Sequence, residues 1–166
     1  MSFLQRALGA VGLAGRPRLG SGDPAPTFTL SDSDGNRVSL SDLLSTGPVL
    51  LVFFPKAFTP GCTRELRAYG ASQEAVASRG AQVVALSTDD VPTLARFKAS
   101  LGSPYRFLSD PEGKVAEAYG GVSFGTANRI TVTVGQDGVV TRVTAGVPAL
   151  FPQSDIRACP ASDARG

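Results

Sequence analysis

Residues 49–65 have the sequence VLLVFFPKAFTPGCTRE. The six residues that lead up to Pro55 are all apolar, which is typical of a short strand buried on both faces of a sheet. After Cys62, the residues that recur at three- and four-residue steps are Leu66, Tyr69, Gln73 and Val76. This spacing, with several alanines and no proline, predicts one helix that ends near Gly80. Cys62 is therefore expected where a buried strand has ended and a helix begins.

The start of a helix changes the chemistry of a cysteine. The first N–H groups of a helix have no internal acceptors and the helix dipole is positive there, so both favour the thiolate, which is the nucleophile. Thr59 lies three residues before Cys62, and a tight turn shaped by Pro60 and Gly61 would bring its hydroxyl near the sulfur. Against this, a lone cysteine is most often a small buried hydrophobic residue. Position alone leaves both interpretations open.

The motif Pro55-x-x-x-Thr59-x-x-Cys62 resembles the active-site motif of the peroxiredoxins, which are thiol-dependent peroxidases with a thioredoxin-like fold. Its continuation through Glu65 is most similar to the bacterioferritin-comigratory, or Q-type, branch. Other segments are also similar to the family and occur in the same order along the chain, namely Gly22–Leu30 before the motif, and Phe107–Pro111, Ala118–Gly120, and Arg129–Val134 with Asp137-Gly138 after it. The resemblance therefore extends over about residues 20–146.

The resemblance implies a peroxidase that reduces hydrogen peroxide and organic hydroperoxides. In such an enzyme the Cys62 thiolate attacks the peroxide, becomes a sulfenic acid and is then reduced through a disulfide. The resemblance also implies that Arg129 holds the thiolate and donates to the peroxide. Thr59 would orient the peroxide through its hydroxyl, and Pro55 would shield the sulfur from bulk water.

The supporting and resolving residues follow the family less completely. Gly61 would add a backbone N–H donor, and Glu65 would position the arginine through an ion pair. Many Q-type members carry a resolving cysteine five residues after the first, but that position is Arg67 here. The other cysteine, Cys159, lies in a Cys-Pro-Ala segment similar to the resolving segment of typical two-cysteine members. Three possibilities stay open: Cys159 resolves Cys62 within the chain, does so across a dimer, or takes no part while thioredoxin or another thiol reductant does so.

The composition argues against several other classes of function. Histidine is absent from the 166 residues, which removes Ser-His-Asp and Cys-His catalysis and most zinc sites, so we expect neither a metal nor a cofactor. The net charge is +2 without a block of like charge, which gives no support for nucleic-acid binding. There is no apolar run of about 18 residues, so no membrane span is predicted.

Other thiol proteins of the same fold fit the sequence less well. Glu65 and Leu66 occupy the positions where a dithiol oxidoreductase or a copper-delivery protein would carry a second cysteine. The remaining alternative is a redox sensor, a thiol-switch protein that passes the oxidation of Cys62 to a partner.

The element pattern predicts an α/β protein in which a mixed central sheet is flanked by helices and preceded by an N-terminal hairpin. This order agrees with the thioredoxin-like fold that the resemblance implies. Besides the segments already given, the predicted elements are strands Thr27–Leu30 and Arg37–Leu40, a short helix capped by Ser41, strand Val83–Leu86, helix Asp90–Leu101, an extended piece Arg106–Leu108, helix Val115–Tyr119, and strands Ile130–Val134 and Val139–Thr144. Gly121–Gly125 matches G-x-S-x-G, but without a histidine base it is interpreted as a loop.

Three segments are distinguished along the chain. Residues 1–20 form an N-terminal extension, either a short amphipathic helix or disordered; residues 21–150 form the thioredoxin-like peroxiredoxin domain; residues 151–166 form a tail that carries Cys159. The apolar part of the extension is short and interrupted, which makes an export signal weak, and a cytoplasmic location is expected. Both a monomer and a homodimer are compatible with the sequence.

Overall fold

The computed structural model of the chain describes residues 19–145. The strands in this part of the chain are β1 (Thr29–Asp32), β2 (Arg37–Ser39), β3 (Val49–Phe53), β4 (Gln82–Ser87), β5 (Arg106–Ser109), β6 (Val122–Ser123), β7 (Thr126–Ala127), β8 (Ile130–Val134) and β9 (Val140–Ala145). The helices are α1 (Leu40–Leu44), α2 (Pro60–Ala71), α3 (Gln73–Ala77), α4 (Val91–Leu101) and α5 (Lys114–Tyr119). Nearly all of the predicted extension, and the whole predicted tail with Cys159, lie outside the described residues.

Seven of these strands form one mixed sheet in the order β2-β1-β5-β4-β3-β8-β9. The strands β3, β4 and β5 run parallel to one another, while β1, β2, β8 and β9 pair in antiparallel fashion. Parallel pairing needs a crossover connection, and α2 to α4 supply these connections between β3, β4 and β5. The predicted α/β class, with a mixed sheet flanked by helices and an N-terminal hairpin, is confirmed.

Strand β3 is buried along its whole length. The side chains of β3 and of Phe54, which follows it, alternate between two apolar clusters, one on each face of the sheet: Val49, Leu51 and Phe53 belong to the first, and Leu50, Val52 and Phe54 to the second. The first cluster includes residues of α1 and α5, and the second includes residues of α2 and α4. A strand covered on both faces has no position for a polar side chain, which is why its sequence is apolar without interruption.

The predicted N-terminal hairpin and the helix predicted over residues 90–101 are both present, and local groups define their ends. Between β1 and β2, Asp32 Oδ1 accepts the backbone N–H groups of Asp34 and Asn36, both at 2.9 Å, and Gly35 has a φ of 85°. In α4, the side chain of Asp90 caps the first turn, and Gly102 ends the helix in the left-handed conformation.

The helix predicted from Cys62 to Gly80 is instead two helices. α2 ends at Ala71, and Ser72 has a φ of −99° and a ψ of 14°. The Ser72 hydroxyl donates to the carbonyl of Ala68 at 3.0 Å, and a hydroxyl bonded one turn back competes with the regular ladder and bends a helix. Gly80, with a φ of 66°, follows the end of α3 as a left-handed residue.

Two further predictions are wrong in detail. The cap of α1 is Ser39 rather than Ser41: Ser39 Oγ accepts the Asp42 N–H at 3.1 Å, and Asp42 Oδ2 accepts the Ser39 N–H at 3.3 Å, which is a capping box. Because β2 passes directly into α1, the hydrophobic pattern gave no sign of this boundary.

Gly121–Gly125 is not a loop but most of a small hairpin of β6 and β7. Phe124 and Gly125 form its two-residue turn with φ values of 52° and 77°, as tight hairpins require. Among the helices of residues 19–145, none could span a membrane; α2 has 12 residues, whereas a span needs about 20.

Candidate active site

Cys62 is the third residue of α2 and its side chain is fully buried. The helix begins at Pro60, whose fixed φ and missing N–H suit the first helical position, and Thr59 is the capping residue. Cys62 belongs to the apolar cluster beneath α2, together with Phe54, Leu66 and Tyr69. Burial among apolar side chains is also what a purely structural cysteine shows, so the polar contacts of the sulfur decide between the two interpretations.

The sulfur of Cys62 lies against a cation. Arg129 Nη2 donates to Cys62 Sγ at 3.3 Å, across a separation of 67 positions in sequence. Arg129 directly precedes β8, whose first residue Ile130 pairs with Phe53 at the carboxyl end of β3. The antiparallel register therefore places the arginine at the sheet edge where the segment leading to Cys62 begins. A guanidinium at this distance stabilises negative charge on the sulfur.

The carboxylate of Glu65 is the second partner of the Arg129 guanidinium. Arg129 Nη1 donates to Glu65 Oε1 at 3.2 Å, and the two side chains are 18% and 2% exposed. Glu65 and Cys62 are three residues apart on one face of α2, so a single guanidinium reaches both. A carboxylate this deeply buried requires a charged partner, and the fork of the guanidinium satisfies it while aiming its second nitrogen at the sulfur.

Thr59 is half-buried and its hydroxyl bonds to the loop backbone. Thr59 Oγ1 donates to the carbonyl of Lys56 at 2.8 Å. The Thr59 carbonyl accepts both the N–H and the hydroxyl of Thr63, at 2.9 and 2.7 Å, which closes the first turn of α2. With its hydrogen engaged, the Thr59 hydroxyl keeps lone pairs with which to accept a hydrogen bond. Its predicted closeness to the sulfur stays a prediction.

The other predicted residues are near the sulfur in sequence and are partly exposed. Pro55 and Gly61 are both half-buried, one just after β3 and the other in the first turn of α2. Arg67, at the position of the usual resolving cysteine, is exposed. Cys159 lies outside the described residues. Within residues 19–145, no group of three or more His, Cys, Asp or Glu side chains is placed to hold a metal ion.

One group of residues at the same edge of the sheet was not predicted from the sequence. Asp89 Oδ2 accepts the backbone N–H of Ala57 at 2.8 Å, and it also accepts the hydroxyl of Ser87 at 2.8 Å. The signal for this group was the segment Ser87-Thr88-Asp89-Asp90 directly after a predicted buried strand, at the edge where parallel strands end together.

Comparisons with known proteins point to one family. The model of the AhpC/TSA family matches residues 21–143. Chloroplastic peroxiredoxin Q of Oryza sativa subsp. japonica is 38% identical over 126 residues, which cover 74% of this chain and 58% of the rice protein. The peroxiredoxin Bcp of Escherichia coli (strain K12) is 33% identical over 133 residues, which cover 75% of this chain and 85% of that protein.

The solved structures show the same fold. The crystal structure of peroxidoxin BcpB from Mycobacterium tuberculosis superposes with a TM-score of 0.80 at 32% identity, covering 84% of this chain and 96% of that one. Xanthomonas campestris peroxiredoxin Q superposes with a TM-score of 0.73 at 24% identity, covering 79% and 88%. The chain spans only 58% of the length of the rice relative, so similarity to that protein covers one part of it.

Proposed function

The chain belongs to the AhpC/TSA family, and from this membership we propose that it is a thiol-dependent peroxidase that reduces hydrogen peroxide and organic hydroperoxides. The observation that carries the proposal is the Arg129 guanidinium, which contacts the buried sulfur of Cys62 and the buried carboxylate of Glu65 at the same time. A structural cysteine needs no such cation, whereas a nucleophilic thiolate does.

In the proposed reaction the Cys62 thiolate attacks the protonated oxygen of the peroxide. The new S–O bond forms as the O–O bond breaks, and the electron pair of the O–O bond leaves on the distal oxygen. That oxygen takes a proton and departs as water or an alcohol, while Cys62 is left as a sulfenic acid. The negative charge moves from sulfur to the leaving oxygen, so a cation near both lowers the barrier more than it stabilises the bound peroxide.

Each of the predicted site residues is given a part in the proposed step. Arg129, held by Glu65, stabilises the thiolate and then the departing oxygen. The Thr59 hydroxyl, whose hydrogen points to the Lys56 carbonyl, accepts the O–H of the peroxide and fixes its direction. The Gly61 N–H lies in the first helical turn, where amides lack intrahelical acceptors, and Pro55 limits access of water.

The sulfenic acid must then be reduced by a second thiol. That thiol attacks the Cys62 sulfur, a disulfide forms and water leaves. The second thiol is Cys159 of the same chain, Cys159 of another copy in a homodimer, or a thiol of thioredoxin or another reductant, because residue 67 is an arginine. A cytoplasmic location and the oligomeric state stay predictions.

The testing experiment is intact mass spectrometry with a non-reducing gel after one equivalent of hydrogen peroxide. A monomer lighter by two hydrogens, with Cys62 linked to Cys159, indicates resolution within the chain. A covalent dimer through the same pair indicates resolution across an interface. Sulfenic or sulfinic Cys62 with free Cys159 indicates an external thiol. If Cys62 stays unmodified after peroxide treatment, the proposal is overturned.

Two variants make the outcome specific. Cys62→Ser is expected to abolish peroxide consumption with the fold retained, since it removes the nucleophile from a buried position with a side chain of similar size. Cys159→Ser is expected to leave the first oxidation of Cys62 unchanged. Repeated turnover with a thioredoxin system supports the enzyme, whereas slow turnover with a stable disulfide to a partner protein indicates the redox sensor instead.

A further inference from the structure

The segment between β3 and α2, residues 54–59, is tied to the end of β4 at two points. The Phe54 N–H donates to the carbonyl of Leu86 at 3.0 Å, and the Ala57 N–H donates to Asp89 Oδ2 at 2.8 Å. The first bond continues the pairing of parallel strands and needs no particular side chain. The second depends on the carboxylate of Asp89, which is 32 positions away in sequence.

The Asp89 carboxylate is itself held in place. The Ser87 hydroxyl donates to Asp89 Oδ2 at 2.8 Å, and the Asp89 N–H donates back to Ser87 Oγ at 3.1 Å. The Ser109 hydroxyl donates to the carbonyl of Asp89 at 2.6 Å. Ser87 and Ser109 are both buried at the ends of neighbouring strands, β4 and β5. The acceptor for the Ala57 N–H is therefore also held by hydrogen bonds to the ends of β4 and β5.

The bond from Ala57 also controls Thr59, because one peptide group is shared. The N–H of the Lys56–Ala57 peptide donates to Asp89, and the carbonyl of the same peptide accepts the Thr59 hydroxyl at 2.8 Å. A peptide group is planar and rigid, so a donor held at one end fixes the direction of the carbonyl at the other. The direction of that carbonyl sets the rotation of the Thr59 hydroxyl and the direction of its lone pairs.

Phe58, between Ala57 and Thr59, has an unfavourable backbone conformation that its surroundings must stabilise. Phe58 has a φ of 66°, a left-handed conformation that a side chain of this size rarely adopts. Its ring, 53% exposed, packs on Phe97 of α4 with ring centroids 5.1 Å apart. A conformation of this kind persists when its surroundings over-determine it, and the Asp89 bond directly before it supplies one such constraint.

We propose that Asp89 is a positioning residue for peroxide attack, acting through the Lys56–Ala57 peptide to fix the Thr59 hydroxyl beside Cys62. The proposal rests on the peroxidase function proposed above. Asp89 accepts a backbone N–H rather than touching the peroxide, so what the reaction needs from residue 89 is a hydrogen-bond acceptor at the position of Oδ2.

The test compares three variants by the second-order rate constant for oxidation of Cys62 by hydrogen peroxide, measured by stopped flow. Asp89→Ala removes the acceptor, and the rate constant is expected to fall at least about tenfold because the hydroxyl is misplaced. Asp89→Asn keeps an amide oxygen at this position and is expected to stay within about threefold of wild type. Asp90→Ala is the matched control: it removes the cap of α4 and lowers stability, but leaves the Ala57 bond intact.

A wild-type rate constant in Asp89→Ala overturns the proposal. So does an equal loss in Asp89→Asn and Asp89→Ala, which would mean that the charge and not the acceptor matters. A similar loss in Asp90→Ala would attribute the effect to general destabilisation and also overturn it.

A second readout is independent of peroxide. Hydrogen exchange of the Ala57 amide, followed by NMR, is expected to be at least about tenfold faster in Asp89→Ala and unchanged in Asp90→Ala. Unchanged exchange in Asp89→Ala overturns the anchoring. If this amide responds as expected while the wild-type protein consumes no peroxide, the peroxidase function fails and the anchoring of the segment stands.

Discussion

Arg129 connects the chemistry of this protein to its stability. Its guanidinium donates to the sulfur of Cys62 and to the carboxylate of Glu65, at 3.3 and 3.2 Å. The planar fork makes both bonds in one orientation, which a single ammonium group does not reproduce. Arg129 and Glu65 are therefore expected to respond to substitution as one unit.

Arg129→Lys tests this at the scale of the residue. Lysine keeps a positive charge beside the buried Glu65, so the protein is expected to fold. However, a lysine has one ammonium group, whereas the arginine donates from separate nitrogens to Glu65 and to Cys62. The second-order rate constant for oxidation of Cys62 is expected to fall at least about tenfold. Stopped-flow oxidation at pH 7 measures it, and Arg67→Ala is the control, since Arg67 is an exposed arginine on α2, the helix that carries Cys62.

Arg129→Ala is a harsher change. It removes one partner of a buried ion pair, so stability is expected to fall by about 3–5 kcal/mol in addition to the loss of rate. An unchanged rate constant in both variants, with the fold verified by circular dichroism, would exclude Arg129 from the site.

At the scale of the element, the first helix shows how a local signal is misassigned. Two serines, Ser39 and Ser41, precede or open α1, and their hydroxyls lie 3.0 Å apart. Only the geometry shows that Ser39 accepts the N–H of Asp42 and is reached in return by the Asp42 carboxylate. The stabilisation of α1 is therefore assigned to Ser39.

Ser39→Ala is expected to lower the free energy of unfolding by about 1 kcal/mol, because the first turn of α1 loses its acceptor. Ser41→Ala, two residues away in the same turn, is expected to change it by less than about 0.5 kcal/mol. Urea unfolding followed by circular dichroism compares the two variants. A larger loss of unfolding free energy in Ser41→Ala than in Ser39→Ala would show that Ser41 caps the helix, as the sequence predicted.

At the scale of the whole molecule, two buried phenols couple stability to alkaline pH. The Tyr105 hydroxyl donates to the carbonyl of Tyr69 at 2.7 Å, and burial raises the pKa of Tyr105 to about 12. The Tyr119 hydroxyl donates to the carbonyl of Pro26 at 2.6 Å, and burial raises the pKa of Tyr119 as well. Each phenol is held neutral by the fold, one in each apolar cluster.

The sign of the pH dependence follows from these shifts. Below about pH 10 both phenols are protonated whether the chain is folded or unfolded, so their contribution is fully present. Above this pH the unfolded chain loses the protons first, and stability is expected to fall as pH rises toward 12. The urea midpoint at about pH 8 and about pH 11 measures the loss.

Tyr105→Phe and Tyr119→Phe separate this effect from the titration of lysines and other groups. Each variant lacks one phenol, so its urea midpoint is expected to fall less between the two pH values than that of the wild type. The same fall in the wild type and in the double variant would contradict the linkage.

The sequence by itself determined the features that depend on local patterns. An uninterrupted apolar run predicted β3, and local patterns also predicted the N-terminal hairpin, α4, β8 and β9 close to their observed bounds. The transition from strand to helix near Cys62 was predicted in the same way, because the apolar strand pattern ends at Pro55 and a helical spacing begins after Cys62. These signals lie within a few residues of one another, so no knowledge of the distant chain is needed.

Local patterns do not show which distant groups meet: the contact of Arg129 with Cys62 was an expectation from the family resemblance, and the contact of Asp89 with Ala57 emerged only from the tertiary structure. The sulfur and its cation are 67 positions apart, and the Ala57 amide and its acceptor are 32 positions apart. These contacts depend on the order of the strands and on the register of β3 with β4 and β8, which composition and periodicity do not encode. The break at Ser72 and the cap at Ser39 depend on which of several competing local hydrogen bonds form, and the structure shows which ones do.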